Sequence, residues 1–324
     1  MPEAAAGATA GASGTVPRLP PLLVIVGPTA TGKTRLALAI AAALAPEGVG
    51  CEIVSADSRQ VYRGMDIGTA KATAAERAQV PHHGLDLVDP DELFNAADFQ
   101  RHAYAVLPGI AARERLALLV GGTGLYVRTV ARGLPLSAGD VDPAVRADLE
   151  AQLAREGGAA LAAELQHRAP GIAASTDLAN SRRVVRALER ARLVGDQPPG
   201  PPAGYPAPLA WLGLALHPAE NRRRIAERAA AQFAGGLEAE AVGLRARFGV
   251  HPRAFSAFGY YEALALADGA ISRDEAVGRT IDRTAAYARR QRTWFRSERE
   301  IAWLDAVGDP LSPALAAARA LLDR

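Results

Sequence analysis

Short unbroken apolar runs alternate along the chain with longer stretches in which apolar residues recur every three or four positions. "LLVIV" (22–26) predicts a fully buried strand. "CEIVSAD" (51–57), "LALLVGG" (116–122) and "LAWLGLAL" (209–216) predict three more. Between them, "TGKTRLALAIAAALA" (31–45) and "NAADFQRHAYAVLPGIAARER" (95–115) have helical spacing. Asn95 is placed to cap the second helix, and Pro108 predicts a kink or break inside it. Strand–helix alternation implies a parallel sheet with helices on both faces, which binds ligands at the carboxyl ends of its strands. Lys33, Asp57 and Thr123 each follow such an end, so they are expected to converge.

The pattern changes over 137–205. "DPAVRADLEAQLAREG", "AALAAELQHRA" and "TDLANSRRVVRALERARLVG" read as helices without strands, closed by the Pro/Gly-rich "GDQPPGPPAGYPAP". This predicts an inserted helical domain at 137–205, within a core made of 21–136 and 206–324. Two arginine-rich helices follow, "NRRRIAERAAAQF" and "SRDEAVGRTIDRTAAYARRQRTWFRSE". Residues 1–20 are small residues with Gly and Pro, lack the pattern of a signal peptide, and are expected to form a disordered tail. No apolar run approaches the roughly 20 residues needed to span a membrane. The single cysteine, Cys51, excludes a disulfide framework and a Cys-based metal site. A cytoplasmic protein fits, and nothing demands more than a monomer.

The formal net charge of +2 identifies no partner by itself. The distribution says more. Of the 37 basic Lys and Arg residues, only Lys33 and Lys71 are lysines. A chain that uses arginine almost wherever a positive charge will do needs a reason to keep a lysine. A compact, rotatable ammonium bridges phosphate oxygens better than a planar guanidinium.

Lys33 lies in Gly27-Pro28-Thr29-Ala30-Thr31-Gly32-Lys33-Thr34, which fits the phosphate-loop pattern in full, with a strand before it and a helix after it. The glycines let several backbone N–H groups point at one anion, and the helix N-terminus adds its dipole. Thr34 is placed to ligate Mg²⁺. The loop usually holds ATP or GTP, so a nucleotide-binding reading stands at this point, but a pyrophosphate ester would satisfy the same groups. Asp57 suits a general base, an outer-sphere magnesium partner or a helix cap. A phosphate-loop ATPase commonly has a second strand ending in an acidic residue. Here "LALLV" ends in "GGTG", and Thr123 offers a hydroxyl without charge, which weakens the ATPase reading. His82 and His83 have no partner at zinc spacing, so a structural role is expected for them. Tyr287, Arg290 and Trp294 fall on one helix face; aromatics among arginines suit RNA, although Trp294 and Phe295 also suit a core.

Seven stretches occur in one order: "GPTATGKT", "DSRQVYRGMDIGTAK", "PHHGLDLVDP", "ADFQRHA", "LLVGGTGLY", "RRVVRALE" and "YARRQRTWFR". With them the chain resembles the tRNA dimethylallyltransferases, also called isopentenyl-diphosphate:tRNA transferases, over most of its length from residue 22 onward. The resemblance implies an α/β fold, a P-loop NTPase-like parallel sheet flanked by helices, with the helical insert binding tRNA. It implies transfer of a dimethylallyl group from dimethylallyl diphosphate to N6 of the adenosine at position 37, beside the anticodon, with release of diphosphate. On that reading residues 27–34 and Mg²⁺ hold a leaving group, Asp57 is the base, and Thr123 orients the adenine or the donor. Lys33 stabilises the developing charge. The same matching implies tRNA contacts at Asp57, Ser58, Arg59, Gln60 and Thr123, at Arg146, and at Arg182, Arg183, Val184, Val185 and Arg186. The partner is the anticodon stem-loop, whose adenosine must leave its stack to react. Tyr261 stands where the family usually has a basic residue, so an arginine from 279 to 292 is expected to take over. The alternatives are a small-molecule kinase using ATP, or a phosphate-loop protein that binds nucleic acid without transfer chemistry.

Overall fold

The computed structural model describes residues 18–136 and 142–323. Residues 1–17 of the expected tail, and 137–141 at the expected start of the insert, lie outside the described residues. The last part of the expected tail is anchored: Leu19 packs against the core, and the Tyr205 hydroxyl donates to the Pro20 carbonyl at 2.8 Å.

The first half of the chain gives β1 (Leu22–Val26), α1 (Lys33–Leu44), β2 (Cys51–Ser55), α2 (Ala74–Gln79) and β3 (His82–His83). Next come α3 (Ala96–Ala112), β4 (Leu116–Gly121) and α4 (Gly124–Ala131). Three helices follow without a strand: α5 (Pro143–Arg168), α6 (Pro170–Ala174) and α7 (Ser181–Val194). The chain then returns with β5 (Leu209–Ala215), α8 (Pro218–Ala234), α9 (Leu237–Phe248), α10 (Pro252–Phe255) and α11 (Tyr260–Ala267). It ends with α12 (Arg273–Arg296), β6 (Ala302–Asp305) and α13 (Leu311–Leu322).

The strands form one parallel sheet in the order β3-β2-β4-β1-β5-β6. β1 is central, with Leu22 opposite Ala117 of β4 on one side and Leu209 of β5 on the other. Its unbroken apolar run is explained by burial on both faces. Leu22, Val24 and Val26 face a cluster that includes Phe99, Tyr126, Phe255 and Phe295. Leu23 and Ile25 face the opposite cluster, filled by Leu36, Ile40 and Leu44 of α1 and Leu321 of α13. The edge strands β3 and β6 were not expected. β3 has only two residues, and β6 is short and largely exposed.

Asn95 caps α3 as expected, accepting from the N–H groups of Ala97 and Asp98 while Asp98 accepts from the Asn95 N–H. Pro108 does not break that helix, which runs through it to Ala112. α5 is interrupted at Gly157, whose φ of 81° and ψ of 167° are not helical, where the sequence separates two helical stretches. α5, α6 and α7 bury their own apolar cluster, among it Leu149, Leu165, Ile172, Val184, Val185 and Leu188. No helix among the described residues is long and apolar enough to cross a membrane.

Candidate active site

The carboxyl ends of β1, β2 and β4 open onto one cavity of about 1110 Å³. As expected, Lys33, Asp57 and the Gly121–Gly122 turn before Thr123 lie together there. The loop after β1 needs its glycines. Gly27 has a φ of 140°, and a Cβ there would lie 2.6 Å from the Leu214 carbonyl oxygen. Gly32 enters α1 at a φ of 92°. Thr31 is buried and its hydroxyl donates to the Pro28 carbonyl at 2.9 Å. Lys33 Nζ donates to the carbonyls of Gly27 and Pro28 at 3.0 and 2.9 Å. Desolvation lowers the Lys33 ammonium to a pKa of about 8; Asp57 opposes that shift and Arg228 adds to it. Ala30, Thr34 and Arg35 line the same cavity.

After β2, Asp57 Oδ1 accepts from the Arg59 N–H at 2.8 Å, which closes a tight turn. Thr123 Oγ1 accepts from the Ser58 N–H at 3.0 Å and lies 3.3 Å from the Ser58 hydroxyl. Gln60 accepts from the Ser55 hydroxyl at 2.9 Å and donates to the carbonyls of Thr69 and Ala70, each at 3.2 Å. Arg59 is held by the Arg253 carbonyl. The segment is braced from below by Lys71. Its buried ammonium contacts Asp66 at 2.7 Å, Asp86 at 2.6 Å and the Tyr62 carbonyl at 2.7 Å. Three short contacts converging on one point suit an ammonium better than a guanidinium fork, which explains this second lysine.

The turn after β4 packs too tightly for side chains. Cβ atoms at Gly121, Gly122 and Gly124 would lie 2.1 Å from the Ala56 carbonyl, 2.2 Å from Gln291 Nε2 and 2.1 Å from Trp294 Nε1. That close approach is what brings Thr123 against Ser58. Trp294 also carries Arg128 over its ring at 4.6 Å, and Phe295 is core. Tyr287 and Arg290 line the cavity. Burial, reinforced by Asp57, pushes the Tyr287 phenol upward.

Three polar side chains that the sequence reading passed over hold the first loop. Asn221 Nδ2 donates to the Thr29 carbonyl at 2.8 Å, Arg228 Nη2 to the Thr29 hydroxyl at 2.7 Å, and Gln291 Oε1 accepts from the Thr29 N–H at 2.8 Å. A signal did exist. Asn221 shares the buried register of Ile225, Ala229 and Phe233 on α8, and Gln291 that of Thr284, Ala288 and Phe295 on α12. A polar residue in an apolar register needs a partner. Arg223 and Arg224 of the "NRRR" run also line the cavity.

Arg283 reaches the cavity, pairs with Glu262 and lies 5.6 Å over the Phe258 ring. Arg283 and Arg290 are the arginines of 279–292 that line the cavity. Lys33 and seven arginines line the cavity against two carboxylates, Asp57 and Glu227. That balance favours a polyanion.

His83 Nε2 meets Glu52 at 2.6 Å and His82 Nδ1 meets the Val80 carbonyl at 2.7 Å, so both histidines fix the sheet edge. Among the described residues no group of three or more His, Cys, Asp or Glu could hold a metal. Thr34 lines the cavity, and its hydroxyl is an oxygen donor of the kind Mg²⁺ takes beside phosphate and water oxygens.

Arg146 and the 182–186 run do not line the cavity; they belong to the helical unit. Arg182 and Arg183 are exposed, Arg183 3.4 Å from Asp177. Val184 and Val185 are 0% and 5% exposed, so their side chains build the core of that unit and offer no face to RNA. Arg146 and Arg186 bind the fully buried Glu189 at 2.5 and 2.9 Å, so each has a structural partner.

A doubly covered parallel sheet with a glycine-rich phosphate loop after its central strand defines an α/β enzyme of the phosphate-loop class. Residues 60–298 match the family described as IPP transferase. The chain belongs to this family and is a transferase. It is 43% identical to the tRNA dimethylallyltransferase of Symbiobacterium thermophilum, over 89% of this chain and 90% of the relative. It is 47% identical to that of Anaeromyxobacter sp. (strain K), over 87% and 92%. The crystal structure of the full-length tRNA isopentenylpyrophosphate transferase from Bacillus halodurans aligns with a TM-score of 0.68 at 38% identity, covering 94% of this chain and 96% of that one. A eukaryotic dimethylallyltransferase acting on tRNA shares the fold, with a TM-score of 0.75 at 23% identity over 93% and 77%.

Proposed function

We propose that this chain transfers a dimethylallyl group from dimethylallyl diphosphate to N6 of the adenosine at position 37 in the tRNA anticodon stem-loop. The observation that carries this reading is one cavity lined by a phosphate loop, basic side chains and Asp57, with Thr123 bonded to the amide of Ser58 in its wall. The N6 amine attacks the allylic carbon as its bond to the diphosphate oxygen breaks. Diphosphate leaves with that electron pair, and Asp57 takes the N6 proton. Lys33, Arg228 and the backbone N–H groups of residues 30–34 stabilise the charge growing on the leaving group. Thr34 would ligate Mg²⁺, whose contribution is to neutralise diphosphate charge. Thr123, tied to the Ser58 amide, orients the reacting base. Phe258 and Tyr287, with ring centroids 5.2 Å apart, provide an aromatic wall for a base that has left its stack. Residues 137–205 act as an insert whose exposed arginines, Arg182 and Arg183, meet RNA phosphates.

The test is the mass of an unmodified anticodon stem-loop incubated with the protein, Mg²⁺ and dimethylallyl diphosphate. The expected result is a gain of one dimethylallyl group on the adenosine. No gain, with ATP consumed in a control lacking the prenyl donor, would replace this reading with a kinase.

A further inference from the structure

Gln291 is 5% exposed and uses both ends of its amide. Its Oε1 accepts from the Thr29 N–H at 2.8 Å, and its Nε2 donates to the Gly122 carbonyl at 2.8 Å. One rigid planar group therefore spans from the loop after β1 to the turn after β4. Gly122 has no room for a Cβ because that position lies 2.2 Å from Gln291 Nε2. One helical turn earlier, Tyr287 lines the same cavity as Gln291. Asn221 and Arg228 hold the Thr29 carbonyl and hydroxyl, so Gln291 completes the fixation of that residue. With its N–H committed to Gln291, Thr29 cannot direct that donor at a phosphate.

We propose that Gln291 is a positioning residue: it sets the separation between the diphosphate loop and Thr123, and so between the leaving group and the adenine. This rests on the transfer reading above. Its amide is committed at both ends to the backbone. It links two rigid edges across a gap where attack and departure must be aligned, and small misplacements there are costly.

The first experiment is hydrogen exchange, with inorganic diphosphate as the probe. In the unaltered protein, diphosphate is expected to slow exchange in peptides covering both 27–34 and 121–126. In Gln291→Met, which keeps the volume and removes both hydrogen bonds, it is expected to slow only 27–34. If both segments still respond in the variant, or 121–126 never responds in the unaltered protein, the proposal is overturned. If diphosphate protects neither segment, the transfer reading is what fails. The second readout is kinetic. Gln291→Met should lower kcat by about 10- to 100-fold, with tRNA affinity unchanged. Gly122→Ala, which displaces the same amide, should give the same split, and the double variant should lose little more than either single change. Additive losses, or a kcat that does not fall, would refute the role. Should Gln291→Met not fold, Gln291→Glu keeps the acceptor for Thr29 and removes the donor to Gly122, and the same outcomes decide.

Discussion

The Thr123 hydroxyl and the Ser58 amide meet at 3.0 Å, joining the turn that follows β4 to the turn that follows β2. Asp57 is the residue before Ser58, and its own carboxylate accepts from the Arg59 N–H. The proposed base is thus aimed by a bond to a neighbouring strand's loop. Thr123→Val keeps the shape and leaves the Ser58 N–H without its partner, a loss of about 1–3 kcal/mol. Transfer should fall while the affinity for diphosphate stays. Unchanged transfer would show that the bond does not aim Asp57.

Asp57→Asn should bind the anticodon stem-loop as well as the unaltered chain does. It should transfer about 10²- to 10⁴-fold more slowly, the usual worth of a positioned base. Single-turnover mass measurement with saturating RNA checks this. Near-normal transfer would remove Asp57 from the role of base.

Burial holds Lys33 at about 8, and the approach of a diphosphate must raise that value. The sign follows directly. Below about 8 the ammonium is already charged in the free protein, so binding takes up no proton at this site. Between about 8 and the ordinary 10.5, the free lysine is neutral and must be protonated as the anion arrives. Calorimetry in buffers of different ionisation enthalpy should therefore show proton uptake with diphosphate at pH 9 and little at pH 7, with affinity falling as pH rises. Uptake that does not change with pH, or that survives in Lys33→Met, would contradict it.

Glu189 is fully buried, accepts from Arg146 and Arg186, and also accepts from the Asp142 N–H at 3.0 Å. Glu189→Ala removes a buried carboxylate that accepts from Arg146, Arg186 and the Asp142 N–H and should destabilise α5–α7 by about 1–3 kcal/mol. Limited proteolysis should then cut first within 142–195, with the sheet intact. Cleavage that begins elsewhere would show that the network is not what holds the helical unit.

Arg183→Ala should weaken stem-loop binding and lower the salt dependence of that binding by about one phosphate contact. Titrations at several salt concentrations check it. An unchanged slope would place the RNA elsewhere.

Much of this architecture could be read in the residues because it rests on local patterns. The four long strands are apolar runs, Asn95 announces a cap three residues before Asp98, and residues 27–34 carry a complete loop. What stayed hidden rests on distance in sequence. β3 exists because His82 and His83 lie beside Ile53 and Val54, and β6 because Ala302–Asp305 lies beside Leu212–Ala215. Neither segment has a periodicity of its own. Asn221, Arg228 and Gln291 hold Thr29 from helices that begin nearly two hundred residues or more later. The valines of "RRVVR" show the opposite failure: a motif matched as a block carries its buried positions along with its exposed ones.

β1 lies between β4 and β5, and the whole helical unit separates those two neighbours in the chain. As the polypeptide leaves the ribosome, β4 can cover one edge of β1 once Gly121 has emerged. The other edge must wait for Ala215, on the order of 5–20 s later at ordinary synthesis rates. α5–α7 have their own apolar cluster with which to collapse in that interval, while the half-built sheet exposes an edge that can recruit the wrong strand. The loop after β1 waits longer still, because Gln291, which holds Thr29, follows Ala215 in the chain. A truncated product of this gene would keep the whole phosphate-loop sequence and still lack the amide that joins it to the turn after β4.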